Sequence, residues 1–344
     1  MDSPARVLIS TVSMVTLLSA CGGSEGGSNF IGVGGGTDRT GSVSIGISDA
    51  PVDDVKEVWI EVDKITFKKS GNDDVVVDRF TSSDLNISDE DSFQIDLLDY
   101  QGGNQAIVIN DIELPAGRYT NMVLTILDED LNRSYVVELD DERKQLNIPV
   151  ASDTLSLGSF TVEADGTQTF TIEFNLRKAL TYTAGTVGNY NLKVRGIRIQ
   201  DNDGDRAITG TVDSSLFNTE SPCDDKADPN VGNIVYLYEG HNLNVNNLAD
   251  IFDPADSDTA VPDNAIEPFA AEAVVENGLG QWIYRFAFLP AGDYTLVFSC
   301  NAADDDPEDY DGLTLPLPSD QIIELTTTSS SAGCDLPIEN DSCS

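Results

Sequence analysis

Residues 114–120 read Leu-Pro-Ala-Gly-Arg-Tyr-Thr, and residues 289–295 read Leu-Pro-Ala-Gly-Asp-Tyr-Thr. Proline presets the backbone and glycine takes conformations that other residues avoid, so Pro-x-Gly reverses the chain. The tyrosine that follows has a ring to bury and a hydroxyl to satisfy, which suits the corner where a sandwich strand begins. Two copies 175 residues apart predict two β-sandwiches in series. Their flanks differ. Met122, Leu124 and Ile126 alternate after the first copy, whereas Tyr294, Leu296 and Phe298 alternate in the second. The phrase is a shared turn device, not the mark of an exact duplication.

The rest of the chain agrees with an all-β protein. The segments at 42–47, 57–65, 106–114, 167–174, 191–199 and 234–240 alternate apolar and polar residues or are rich in β-branched types. Ser70-Gly71-Asn72, Gly102-Gly103-Asn104 and Asp165-Gly166 punctuate them. Long helical periodicity is missing, and only short helical turns are expected, near residues 53–55 and 247–252. The expected organisation is a signal at 1–20, a glycine-rich tether at 21–41 and a first sandwich at 42–200. A second sandwich at 206–327 and a cysteine-containing tail at 328–344 follow.

The N-terminus supplies an address. Residues 7–20 are largely apolar, and fourteen residues at helical rise cover about 21 Å, short of a hydrocarbon core of about 30 Å. This fits an export signal better than a permanent span. Leu18-Ser19-Ala20-Cys21 resembles the bacterial lipobox, which implies cleavage before Cys21, acylation of that cysteine and anchoring without a spanning helix. Gly22 follows the cysteine where retention at the inner membrane would call for Asp, so the expected location is the cell envelope at the outer membrane. The run at 22–41 cannot pack and holds the folded part clear of the membrane.

Sixty acidic residues against nineteen basic ones give a net charge of −41. Such a chain repels nucleic acid, because it lacks the clustered Lys and Arg that neutralise phosphates. Besides Cys21 there are Cys223, Cys300, Cys334 and Cys343, without zinc-type spacing. Export places them where disulfides persist, and pairing 223–300 with 334–343 is the most economical connectivity.

Chemistry-bearing residues are sparse. His241 is the only histidine and sits in a loop-like Glu-Gly-His-Asn, away from any triad signature. Trp59 lies beside Glu61 and Asp63 on the polar face of its strand, while Val58, Ile60 and Val62 point inward. It is the candidate binding face for a glycan or an envelope protein. Trp282 alternates in phase with Tyr284, Phe286 and Phe288 and reads as core. Lys193 and Arg195, on one strand face, are expected to pair with carboxylates. Two acidic clusters stand out: Asp201, Asp203 and Asp205 around Gly204, and residues 304–311. The first opens like a calcium loop but has Arg206 and Val212 where an EF-hand needs Gly and Glu. Two readings stay open at this interdomain turn, a calcium site and a simply solvated acidic turn, and the residues point to no other cofactor.

Several segments together resemble domain of unknown function 4382, a module of bacterial, often lipobox-bearing, proteins. They are residues 41–54, Val-Trp-Ile-Glu-Val-Asp-Lys-Ile at 58–65, Ile-Asp-Leu-Leu at 95–98, the first Leu-Pro-Ala-Gly-Arg-Tyr-Thr and residues 190–199. The resemblance covers about residues 41–200 and implies no activity. Glu173 and Asn175 stand where that family often has Asp, so it lends that strand no cation role. The second half resembles carboxypeptidase-regulatory or transthyretin-type (prealbumin or immunoglobulin-like) sandwiches. The expected protein is thus a lipid-anchored envelope protein, a binding or structural module without catalysis. The alternative is a carbohydrate-active or peptide-processing enzyme with an unrecognised carboxylate site.

Overall fold

The computed structural model describes residues 39–343, apart from 51, 53, 54, 129, 151, 186, 187, 205, 220, 222, 329, 330 and 339–342. Cys21 and the tether up to residue 38 lie outside the described residues.

The molecule is all-β, as the alternation demands. In the first half, one sheet runs in the order Ile197–Asp201, Thr167–Asn175, Thr40–Ala50, Ala106–Pro115. Thr40–Ala50 is parallel to Thr167–Asn175 and antiparallel to Ala106–Pro115. Its odd residues Val43, Ile45 and Ile47 share one wholly buried core with Phe170, Ile172 and Phe174. The facing sheet is built on the long strand Val55–Lys68, in which Val58, Ile60 and Val62 are all fully buried. Apolar side chains on one face only leave each sheet no stable place except against the other.

The second half repeats the solution with two four-stranded sheets. One runs Val275–Glu276, Trp282–Phe286, Ile208–Thr211, Ala332–Gly333, and the other Ala270–Ala273, Ile234–Glu239, Gly292–Ser299, Ile322–Thr327. Val235, Leu237, Tyr294, Leu296 and Phe298 meet Ile208, Tyr284 and Phe286 between them. The outer face of the second sheet is covered too, by Leu248, Ile251 and Leu315 over Tyr236 and Tyr238.

The repeated phrase does the same work twice. Tyr119 Oη donates to the Pro115 carbonyl at 3.0 Å, and Tyr294 Oη to the Pro290 carbonyl at 2.9 Å. Both rings are about 1% exposed, so each hydroxyl finds its acceptor inside the turn that precedes it. The cysteines join as 223–300 and 334–343.

Some expectations change. The segment 191–199 is not one strand: Asn189–Leu192 ends before a 3₁₀ turn at Val194–Gly196, and Ile197–Asp201 follows. The turn seats against the helical turn Leu176–Ala179, where a Cβ on Gly196 would lie 2.5 Å from the Asn175 carbonyl oxygen. Val55 opens a strand instead of closing a helical turn, and residues 53 and 54 lie outside the described residues. The turn near 247 is Val245–Asn247, upstream of its expected place. Residues after 327 also enter the fold, since Ala332–Gly333 pairs in parallel with Ile208–Thr211.

Candidate functional site

Strands pair only within each half among the described residues, yet both halves fall in one compact unit. The reason is the outer face of the first four-stranded sheet. Alternation turns Ser48, Thr171, Glu173 and Asn175 away from the first core, where polar residues meet solvent on an open sheet. Here they are 0–2% exposed. Asn175 meets the second half at the Ala271 carbonyl, while Ser48 and Thr171 bond Tyr100, Gln105 and Asn202 of the first.

Basic residues hold this seam. Arg177, Lys178, Lys193, Arg195 and Arg198 are five of nineteen in the whole chain, delivered within 22 residues by the two turns and the strand beside them. Lys193 reaches Asp256 at 2.7 Å, Asp253 at 3.3 Å and Glu308. Burial pulls its pKa down, but the bonds to Asp256 and Glu308 outweigh burial and hold it above the usual lysine range. Arg195 spreads its fork over the carbonyls of Pro307 (2.9 Å), Lys178 (3.2 Å) and Phe252, and over the Glu267 carboxylate. Lys178 donates to the Pro268 carbonyl and pairs with Glu267, both at 2.7 Å. Arg198 donates to the Ala287 carbonyl at 3.2 Å and lies 5.0 Å over the Phe269 ring. The Asn175 side-chain amide donates a hydrogen bond to the Ala271 carbonyl at 3.1 Å.

A cavity of about 700 Å³ opens along this line. Ile148, Leu155 and Leu192 form its apolar wall, and Lys178, Lys193, Arg195, Asp253, Asp256 and Glu267 its ionic one. Each carboxylate lining it is ion-paired. Burial acts to raise Asp253, but the Ala255 N–H and the two cations win and keep it below the ordinary Asp range.

The acidic run 304–311 is part of the same clamp. Asp305 is half-buried and accepts from Tyr236 Oη at 2.6 Å and from the Ile251 N–H at 3.2 Å, desolvation pushing its pKa up to about 7. Asp306 caps the Glu308 N–H, and Glu308 meets Lys193. At the other cluster, Asp201 accepts from the Asp203 N–H and from the Gln168 side chain, both at 3.0 Å, while Asp205 lies outside the described residues. Among the described residues, the acidic trio whose oxygens lie within 4.8 Å of one another is elsewhere, at Glu138, Asp140 and Glu142.

Trp59 is half-buried on the outer face of the large sheet. It stacks on Tyr135 at 6.1 Å and donates to Glu57 at 2.7 Å, while Arg143 lies 4.0 Å over the Tyr135 ring. Trp282 packs partly buried at the edge of the second core, against Phe217 at 5.2 Å. His241 is half-buried, with Nε2 3.0 Å from the Leu325 carbonyl.

Of the seam's acids, the run 304–311 stands out in the sequence, whereas Asp253, Asp256, Glu267 and Glu272 do not. The signal of Glu272 is a lone charge in an apolar strand, Ala-Ala-Glu-Ala at 270–273.

Fold and seam together define an all-β protein of two sandwiches packed as one unit. Within it, residues 40–194 match the family described as domain of unknown function (DUF4382). No curated protein matches the chain. Similar solved structures include a leucine-rich repeat protein from Bacteroides thetaiotaomicron, 12% identical with a TM-score of 0.22, covering 88% of this chain and 26% of that one. A variant of the major pilin subunit BcpA of Bacillus cereus is 9% identical with a TM-score of 0.19, covering 82% and 59%. A protein provisionally assigned as an adhesin, from Bacteroides ovatus, is 9% identical with a TM-score of 0.18, covering 88% and 90%. This chain thus spans about a quarter of the first and under two thirds of the second. Likeness at this level adds nothing to the assignment, which rests on the sheets themselves.

Proposed function

We propose that this protein is a lipid-anchored module of the bacterial envelope that displays a stiff two-sandwich body and binds a partner without catalysing a reaction. The observation that carries the reading is the seam. A largely buried ionic clamp commits Lys178, Lys193, Arg195 and Arg198, four of the chain's few basic groups, to fixing one sandwich against the other, which suits a spacer that must keep its shape. The anchor is Cys21, and the location the outer membrane. The contact face is the outer side of the large sheet, where the half-buried Trp59 and Arg143 flank Tyr135 and offer a ring edge and a cation to a glycan or an envelope protein. Calcium at the Asp201, Asp203 and Asp205 turn would add stiffness beside the seam; melting in calcium and in chelator, wild type against Asp203→Asn, tests that part.

The reading as a whole is tested by cross-linking in intact envelopes followed by pull-down. The expected result is a discrete partner captured by wild type, lost with Trp59→Ala and retained with Trp282→Phe. Equal capture by all three would reject the contact face, and turnover of an envelope polymer by the purified protein would reject the non-catalytic reading.

A further inference from the structure

Three buried carboxylates lie in or beside the seam: Asp49, in register with Phe174, is on the core-facing side of its strand, whereas Glu173 turns outward toward the second half. Asp49 lies on Thr40–Ala50, Glu173 on the neighbouring Thr167–Asn175, and Glu272 on Ala270–Ala273 of the second half. They are 1%, 2% and 2% exposed. Both carboxylate oxygens of Asp49 and one each of Glu173 and Glu272 have no hydrogen-bond partner. Gln101 and the Ala50 N–H approach Asp49 without reaching good geometry. Asn175 Oδ1 is unpartnered too, its amide nitrogen being turned to Ala271.

Among the described residues, the charged groups facing the trio are few. From the first half come Arg198, 4.0 Å from Glu173, Arg177 on the Leu176–Ala179 turn, and Asp96 ahead of the 3₁₀ turn Leu97–Tyr100. From the second half, Asp305 faces Arg177 from the other side. Among the described residues, three carboxylates stand against two guanidiniums, one of them also facing Asp305, so negative charge is in excess in a place closed to water. Packing an ionised carboxylate there without a partner is costly, and the cost vanishes when it takes up a proton.

We propose that the joint between the sandwiches is shut by protons: Asp49, Glu173 and Glu272 keep at least one proton among them while the halves are packed, and its loss loosens the seam. The proposal goes beyond the display reading and does not depend on it. A metal ion fits less well, because Arg198 Nε also lies buried and unpartnered in this pocket and a cation would be set beside a guanidinium. The carboxyl groups bear the direction out. Burial raises Glu173 to about 7 against the pull of Arg198. Asp49 and Glu272 are pushed well above their ordinary values, first by burial and then by the charge of Glu173. Such a group binds its proton more tightly in the folded chain than in the unfolded one.

The test uses the full-length protein in detergent, with the single histidine replaced (His241→Asn) so that the comparison rests on carboxyl groups. Unfolding is measured at pH 6 and 8.5 in this parent and with Glu173→Gln and Glu272→Gln added. Glu173 alone should raise the parent's unfolding constant about tenfold across that interval, and the Gln variant should show a clearly shallower change. Hydrogen exchange in Ala270–Ala273, corrected for its intrinsic pH dependence, should quicken in the parent and not in the variant. If the double variant does not fold, Asp49→Asn is measured in the same way. Parallel pH profiles would overturn the proposal. So would a profile flattened by millimolar calcium and restored by chelator, which would make the seam a cation site.

Discussion

Replacing Arg195 by alanine should weaken the whole body, not a local patch. The guanidinium is 16% exposed on its side chain and serves three carbonyls and one carboxylate contributed by both halves. Removing one partner of a buried ion pair typically costs about 3–5 kcal/mol, because what remains is left without water or counter-charge. Lys178 still holds Glu267, and a residue of this exposure is partly screened, so the lower end, about 3 kcal/mol, is expected. For a chain of this size that lowers the melting midpoint by roughly 6 °C. Arg195→Lys should recover little, since one ammonium cannot span the fork's acceptors. Differential scanning fluorimetry at pH 6 measures it, with Arg79→Ala as the surface control, where the pairs to Asp89 and Asp91 are solvent-exposed. A shift for Arg195→Ala no larger than that of Arg79→Ala would refute the clamp.

Other outcomes follow from the same structure. Tyr119→Phe and Tyr294→Phe each strand a turn carbonyl and should cost about 1–2 kcal/mol apiece in urea unfolding, with similar values at the two sites. Reducing Cys223–Cys300 opens a loop of 77 residues and should cost about 4 kcal/mol, against about 2.5 kcal/mol for the nine-residue separation of Cys334–Cys343. Peptide mapping of each single-bridge variant, paired with denaturation, checks both the pairing and the order. Cys21→Ser should abolish incorporation of labelled fatty acid, and an unlabelled wild type would remove the anchor from the account.

The sequence was most legible where one residue pattern permits one solution. Val58, Ile60 and Val62 alternate with polar neighbours, and the structure buries them completely. The paired Leu-Pro-Ala-Gly phrases announce two corners, and both tyrosines bond the proline four residues back. The broken strand at 193–196 was not legible, because Asn-Leu-Lys-Val-Arg-Gly-Ile-Arg-Ile alternates like a strand and only the close approach of Gly196 to Asn175 makes it turn. Lys193 and Arg195 do meet carboxylates, as an acidic chain demands, but the carboxylates they hydrogen-bond lie 60 to 115 residues away and depend on tertiary packing. The buried trio was hidden for a related reason. Sixty acidic residues make any one of them inconspicuous until the fold shows which are denied water.

The central claim is that two sandwiches joined by a buried ionic seam behave as one body. Calorimetry of the full-length protein at pH 6 tests it most directly. The account predicts a single endotherm whose van't Hoff and calorimetric enthalpies agree, moved as a whole by Arg195→Ala. Two separate endotherms in the wild type, only one of them moved by Arg195→Ala, would contradict it.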